Sequence, residues 1–210
     1  VKRSALAVFD VDGVVLGSFS CVFDSINRSL VTFGGEPITR EWYSQNDFGS
    51  HKDFVLSRGV AESDCEALDQ LFDELLGRVE LYSERDGIRS VFTWMESMGL
   101  PIHLASAVNA PLTERKIRYH DGLINFIDGV HGGERKSEVF LSLARQMKIN
   151  PSRVIFITDM DRDLEEAKEA GLEQVFAITS EFSNRERLAS YGWPVVESHA
   201  ELFELLVDHF

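Results

Sequence analysis

From Gly87 onward the chain alternates between short apolar runs and helical patterns, and this alternation restricts its possible folds more than any other feature. Helical spacing runs to Met98 and stops at Gly99. Pro101–Ala105 then reads as a strand, Leu112–Tyr119 and Ser137–Met147 as helices, and Arg153–Thr158 as a strand. A helix to Ala170, a strand over Gln174–Ile178 and a strand–helix pair from Pro194 complete the series. Runs such as Val154-Ile155-Phe156-Ile157 lack the polar alternation of a half-exposed strand, so they belong in a parallel sheet covered on both faces. The pattern predicts a doubly wound, Rossmann-like α/β fold.

The N-terminal run Ala5-Leu6-Ala7-Val8-Phe9 is one more buried strand, and it stops abruptly at Asp10-Val11-Asp12-Gly13. In an open α/β sheet, ligands bind just beyond the carboxyl ends of the strands. An extended chain points Asp10 and Asp12 the same way, and like charges that close need a cation or a shared proton. A second acidic cluster, Asp159-Met160-Asp161-Arg162-Asp163, follows the strand ending at Thr158. Asp163 is placed to cap or open the helix that stops at Gly171, whereas Asp159 has no such helical duty. Asp161 is expected to be solvated. Carboxylates delivered by two strand ends suit a hard divalent cation, Mg²⁺ rather than Zn²⁺, and no His/Cys cluster suggests otherwise.

Phe9-Asp10-Val11-Asp12-Gly13-Val14 resembles the first motif of the haloacid dehalogenase-like hydrolase superfamily, and Asp159–Gly171 resembles its fourth. Ile102-His103-Leu104-Ala105-Ser106 is similar to the second motif, and Lys136 to the third, an isolated lysine. All four occur in the family's order between about Ala5 and Thr179, a far stronger signal than any one alone. The resemblance implies a phosphatase or phosphomutase with an inserted helical cap: a core of residues 1–15 and 86–210, and a cap of residues 16–85. It also implies that Asp10, the Asp12 backbone carbonyl and Asp159 hold Mg²⁺.

The residue types fit phosphoryl chemistry. Asp10 is the candidate nucleophile, forming an aspartyl-phosphate that divides one hard displacement into two easier ones. Asp12 can protonate the leaving oxygen and later deprotonate water. Lys136 supplies fixed positive charge and Ser106 a hydroxyl donor where phosphoryl charge spreads. Asp163 is read as a group holding Lys136 or a metal-bound water. Three departures from the family pattern stand out: Gly17-Ser18 at the hinge, Thr158 where a glycine usually precedes Asp159, and a Lys136 without flanking prolines. Arg135 is a rival for the lysine's role.

Between the first strand and Glu84 little strand pattern occurs. Ser20–Phe33, Thr39–Gln45 and His51–Ser57 read as helices. Ser63-Asp64-Cys65-Glu66 matches a capping box opening a helix whose Leu68, Leu71, Phe72, Leu75, Leu76 and Val79 form a bundle core. Asp47 to Asp53 is the most site-like stretch of this insertion, with His51 and Lys52 as substrate-binding candidates. Arg28, Arg40 and Arg58 are further candidates.

A net charge of −14 over 210 residues argues against nucleic acid or an anionic membrane as partner. Cys21 and Cys65 are too few and too isolated for a disulfide framework or a metal site. No apolar run is long enough for a membrane span and no signal-peptide pattern precedes the first strand, so cytoplasm is the expected compartment. The expected activity is Mg²⁺-dependent hydrolysis of a small phosphorylated metabolite. The alternatives are a phosphomutase acting on a sugar phosphate and a catalytically silent small-molecule-binding module. A dehalogenase is disfavoured, because metal-free substitution at carbon has no need of Asp12.

Overall fold

The computed structural model describes residues 5–46 and 51–209. Strand β1 (Leu6–Phe9) is followed by β2 (Leu16–Gly17) and by helices α1 (Phe19–Thr32), α2 (Arg40–Gln45), α3 (His51–Ser57) and α4 (Cys65–Leu76). The chain continues through β3 (Ser83–Glu84), α5 (Ile88–Ser97), β4 (Ile102–Ser106), α6 (Ala110–Tyr119), β5 (Gly129–Gly132) and α7 (Lys136–Met147). It ends with β6 (Val154–Thr158), α8 (Asp161–Glu169), β7 (Gln174–Ile178), α9 (Arg185–Ala189), β8 (Val195–Val196) and α10 (His199–His209). Two compact units result: Val1–Gly17 with Ser83–Phe210, and Ser18–Tyr82.

The larger unit is built on a six-stranded parallel sheet in the order β5-β4-β1-β6-β7-β8. β1 therefore lies inside the sheet, with later strands added on both sides. This is the topological switch point at which doubly wound sheets form their crevice. Leu6, Val8, Phe156, Val175 and Ala177 pack on one face with Val139, Phe140 and Leu143 of α7 and Leu164 and Ala167 of α8. On the other face Phe9 meets Phe92 of α5 edge-on, with ring centroids 5.0 Å apart. With both faces covered, the strands must be apolar throughout, as their sequences are.

Strand β5 is absent from the sequence pattern, because Gly129-Val130-His131-Gly132 has neither an apolar run nor alternation. Pairing with β4 makes it a strand, with His103 opposite Gly129 and Ser106 opposite Gly132. A Cβ at Gly129 would come 2.6 Å from the His103 ring, so any larger residue there would have to displace that ring. The short ribbon of β2 and β3 and the single-turn α9 were likewise not legible. The ribbon keeps Leu16–Gly17 and Ser83–Glu84 with the larger unit, so the helical unit is shorter than the 16–85 expected.

In the helical unit, Ile26 and Leu30 of α1 pack with Ile38, Phe54, Val55, Val60 and Leu68. The capping box does not form. Glu62–Asp64 makes a 3₁₀ turn and α4 starts with no side-chain cap, so the apolar stripe rather than the cap holds that helix. Both cysteines are free. Among the described residues no helix is long and apolar enough to cross a membrane.

Candidate active site

β1 ends at Phe9, and the Asp10 N–H still donates to the Ile157 carbonyl of β6 at 2.9 Å. Asp10 is thereby fixed one step past the strand end, beside β6. The chain then turns sharply: Val15 and Leu16 N–H both donate to the Val11 carbonyl, and Gly13 N–H donates to that of Leu16. Gly13 has φ +86°, which an L side chain rarely adopts. A Cβ there would sit 2.0 Å from Asp159 Oδ2, so the glycine is also what lets β1 and β6 bring their acids together.

Asp10 Oδ1 accepts from the Val11 N–H at 2.8 Å and lies 2.9 Å from Lys136 Nζ. Lys136 also pairs with Asp163, and Thr158 Oγ1 donates to the same Asp163 oxygen at 2.7 Å. Thus Thr158, standing where the family usually has glycine, acquires a defined contact. Asp163 does not cap α8; it is buried in that helix's first turn and turned to Lys136. Lys136 opens α7, whose first turn lies against α8: Ser137 N–H donates to Glu166 and Arg135 pairs with Glu169. Acids at 163, 166 and 169 share one face of α8 and meet Lys136, Ser137 and Arg135 respectively. Arg135 is exposed, which decides between it and Lys136 for the buried position.

Asp159, at the end of β6, is fully buried. Ser180 Oγ donates to its Oδ2, while Oδ1 has no hydrogen-bond partner. Burial pushes its carboxyl up to about 7, against the pull of the Ser180 hydrogen bond. Burial likewise holds the Asp10 carboxyl well above its usual range, opposed by Lys136 and reinforced by the Asp163 and Asp159 charges. Asp163 is affected by burial in the same sense, but Lys136 and the Thr158 hydroxyl outweigh it and keep the carboxyl below its ordinary value. For Lys136 burial disfavours the ammonium, yet Asp10 and Asp163 more than compensate and raise its pKa. Three buried carboxyl groups thus share a water-poor place with one ammonium, which touches Asp10 and Asp163, so acids outnumber the base there.

That excess fits a hard cation. Asp10 and Asp159 supply carboxylates, and the Asp12 carbonyl takes none of the turn's hydrogen bonds, which go to Val11 and Leu16. Among the described residues no three acid, histidine or cysteine side chains gather as a cage. Mg²⁺ does not require one, since it usually keeps several waters beside one or two carboxylates.

Asp10 and Asp12 find separate counter-ions. Instead of sharing one cation, Asp12 is held by Lys116 of α6, with Nζ 3.1 Å from each carboxylate oxygen. Ser106, buried at the end of β4, accepts the Val108 N–H at 3.1 Å. Asp161 is not simply solvated but pairs with Arg187.

A family model for haloacid dehalogenase-like hydrolases matches residues 5–171. The chain belongs to that family. This hydrolase is 21% identical to the phosphorylated carbohydrates phosphatase of Thermotoga maritima, over 96% of this chain and 97% of that protein. It is 25% identical to the phosphoglycolate phosphatase of Synechococcus elongatus, over 96% of each. Its fold is similar to that of a haloacid dehalogenase-like family hydrolase from Streptococcus pneumoniae, with a TM-score of 0.83 at 16% identity, covering 97% and 98% of the two chains.

The insertion residues stand differently. Asp47 to Ser50 lie outside the described residues. Lys52 is exposed in α3 and paired with Glu62 at 2.7 Å. Arg40 lies over the Phe19 and Phe23 rings, and Arg58 bonds to Glu36, Pro37 and the face of Trp42. Sequence reasoning missed Lys116 and Ser180. Lys116 left a trace, a charge within the buried α6 stripe of Leu112, Thr113 and Ile117; Ser180 left none.

Proposed function

We propose that this hydrolase is a Mg²⁺-dependent phosphatase that acts on a small phosphorylated metabolite through an aspartyl-phosphate on Asp10. The observation that carries the reading is the buried Asp10 carboxylate set against Lys136, beside an Asp159 carboxylate with an unpartnered oxygen. Mg²⁺, held by Asp10, the Asp12 carbonyl and Asp159, would offset phosphoryl charge so that an anionic nucleophile can approach. In the first step an Asp10 oxygen bonds to phosphorus, the ester P–O bond breaks, and Asp12 gives its proton to the leaving oxygen. In the second, Asp12 takes a proton from the attacking water, the phosphoryl–Asp10 bond breaks, and inorganic phosphate leaves. Lys136 holds Asp10 in place and adds positive charge beside the transferred group, while the Ser106 hydroxyl is a donor to it.

Within this reading Ser18–Tyr82 serves as the cap, and His51 and Lys52 bind the part of the substrate beyond the phosphoryl group. Lys52 must first exchange Glu62 for substrate, a small barrier because exposed pairs contribute little. The relatives' names make sugar phosphates and phosphoglycolate the first substrates to try. The test is phosphate release from a panel of phosphomonoesters with Mg²⁺ or with chelator, for the natural chain and Asp10→Asn. Release that needs both Mg²⁺ and Asp10 is expected. Activity that depends on a sugar bisphosphate would favour the mutase instead. Neither turnover nor Mg²⁺ binding across the panel would return the chain to the silent-module reading.

A further inference from the structure

Helix α6 buries Leu112, Thr113, Lys116 and Ile117 along one stripe, so a lysine occupies a position where an apolar side chain would be ordinary. Its side chain is 0% exposed. An ammonium so placed is costly unless paired. The pairing is symmetrical: Nζ lies 3.1 Å from both Asp12 oxygens, across 104 residues of sequence. The Asp12 side chain is 20% exposed, so the accessible part of the pair is the carboxylate, and Lys116 supports it from the core side.

We propose that Lys116 is a positioning residue that sets the direction of the Asp12 carboxylate and thereby the efficiency of proton transfer to the leaving oxygen. This rests on the reading of Asp12 as the proton-transfer group. An ammonium centred on both oxygens restricts the two side-chain torsions of Asp12 and leaves its outer edge open. Proton transfer depends steeply on such placement, because a displacement of about 1 Å can cost on the order of 100-fold. Lys116 itself has no exposed surface from which to touch a substrate, so its effect on the reaction runs through Asp12.

The test compares an alkyl phosphate, whose poor leaving group needs a proton, with an aryl phosphate, whose good one does not. Both are assayed with the natural chain, Lys116→Met, Lys116→Arg, Asp12→Asn and the Lys116→Met/Asp12→Asn double variant. For Lys116→Met, kcat on the alkyl ester is expected to fall at least about tenfold more than kcat on the aryl ester, with KM within about twofold. Lys116→Arg, which keeps the charge, should recover part of that selective loss. In the Asp12→Asn background Lys116→Met should add nothing to the alkyl/aryl ratio, as a residue acting through Asp12 requires. Equal losses on both esters, or a further ratio change in the double variant, would overturn the proposal and leave Lys116 a structural pair. If Lys116→Met does not fold, Lys116→Arg and the double variant, which removes both charges, carry the same comparison. An Asp12→Asn variant with no alkyl/aryl split would instead refute the role given to Asp12.

Discussion

Gly13→Ala tests the turn that joins the two acidic strand ends. Two costs arise. The residue keeps φ +86°, and left-handed backbone costs an L residue about 1–2 kcal/mol, reduced by a smaller unfolded-state entropy to about 1 kcal/mol net. The new methyl would also lie 2.0 Å from Asp159 Oδ2, 2.7 Å from its Cγ and 3.0 Å from Phe182 Cδ2. Overpacking of a buried site adds about 1–3 kcal/mol, so the total loss is about 2–4 kcal/mol. In urea this lowers the unfolding midpoint by about 1–2 M, taking a slope near 2 kcal/mol/M. The control is the same change in an Asp159→Ala background. There the two closest atoms are gone, so Gly13→Ala should cost only about 1–2 kcal/mol, from backbone strain and the remaining Phe182 contact. Equilibrium urea unfolding followed by far-ultraviolet circular dichroism gives both numbers. If Gly13→Ala costs the same in the two backgrounds, the close approach to Asp159 is not what demands glycine, and the steric argument fails.

Other expectations follow from the same geometry. Asp12→Asn leaves the fully buried Lys116 ammonium without its carboxylate and should destabilise the fold by about 3–5 kcal/mol. Lys116→Met leaves a partly exposed carboxylate and should cost less, an order that paired urea titrations would check. His199 is buried, and burial with the Arg85 charge lowers its pKa from 6.5 to about 4. The unfolded chain therefore binds this proton first as pH falls, so its stabilising contribution is intact above about 6.5 and is lost towards pH 4, by about 3 kcal/mol in all. A His199→Gln variant should lack that part of the slope; identical slopes would refute the assignment. If Lys52 binds the remote part of the substrate, Lys52→Ala should weaken use of the natural substrate and spare a minimal phosphate ester, and parallel changes in kcat/KM would remove Lys52 from the site.

The sequence by itself determined the doubly wound class, the apolar strands β1, β4, β6 and β7 and most helices, because those elements carry their own burial pattern in consecutive residues. It also marked Asp10, Lys136 and Asp159 as candidates, since each lies at a strand end or helix start that local signals define. The tertiary structure decided what depends on a neighbour supplied from elsewhere in the chain. Gly129–Gly132 is a strand only because β4 offers it a ladder. The start of α7 is satisfied by Glu166 of α8 rather than by a residue of its own, and of the roles the sequence offers Asp163, capping its helix or holding Lys136, the folded chain forms the Lys136 pair. Lys116 is the clearest case. Within α6 it is a charge interrupting an apolar stripe, and its partner is 104 residues away. Burial is a property of the folded chain, and so is the charge needed to make it affordable.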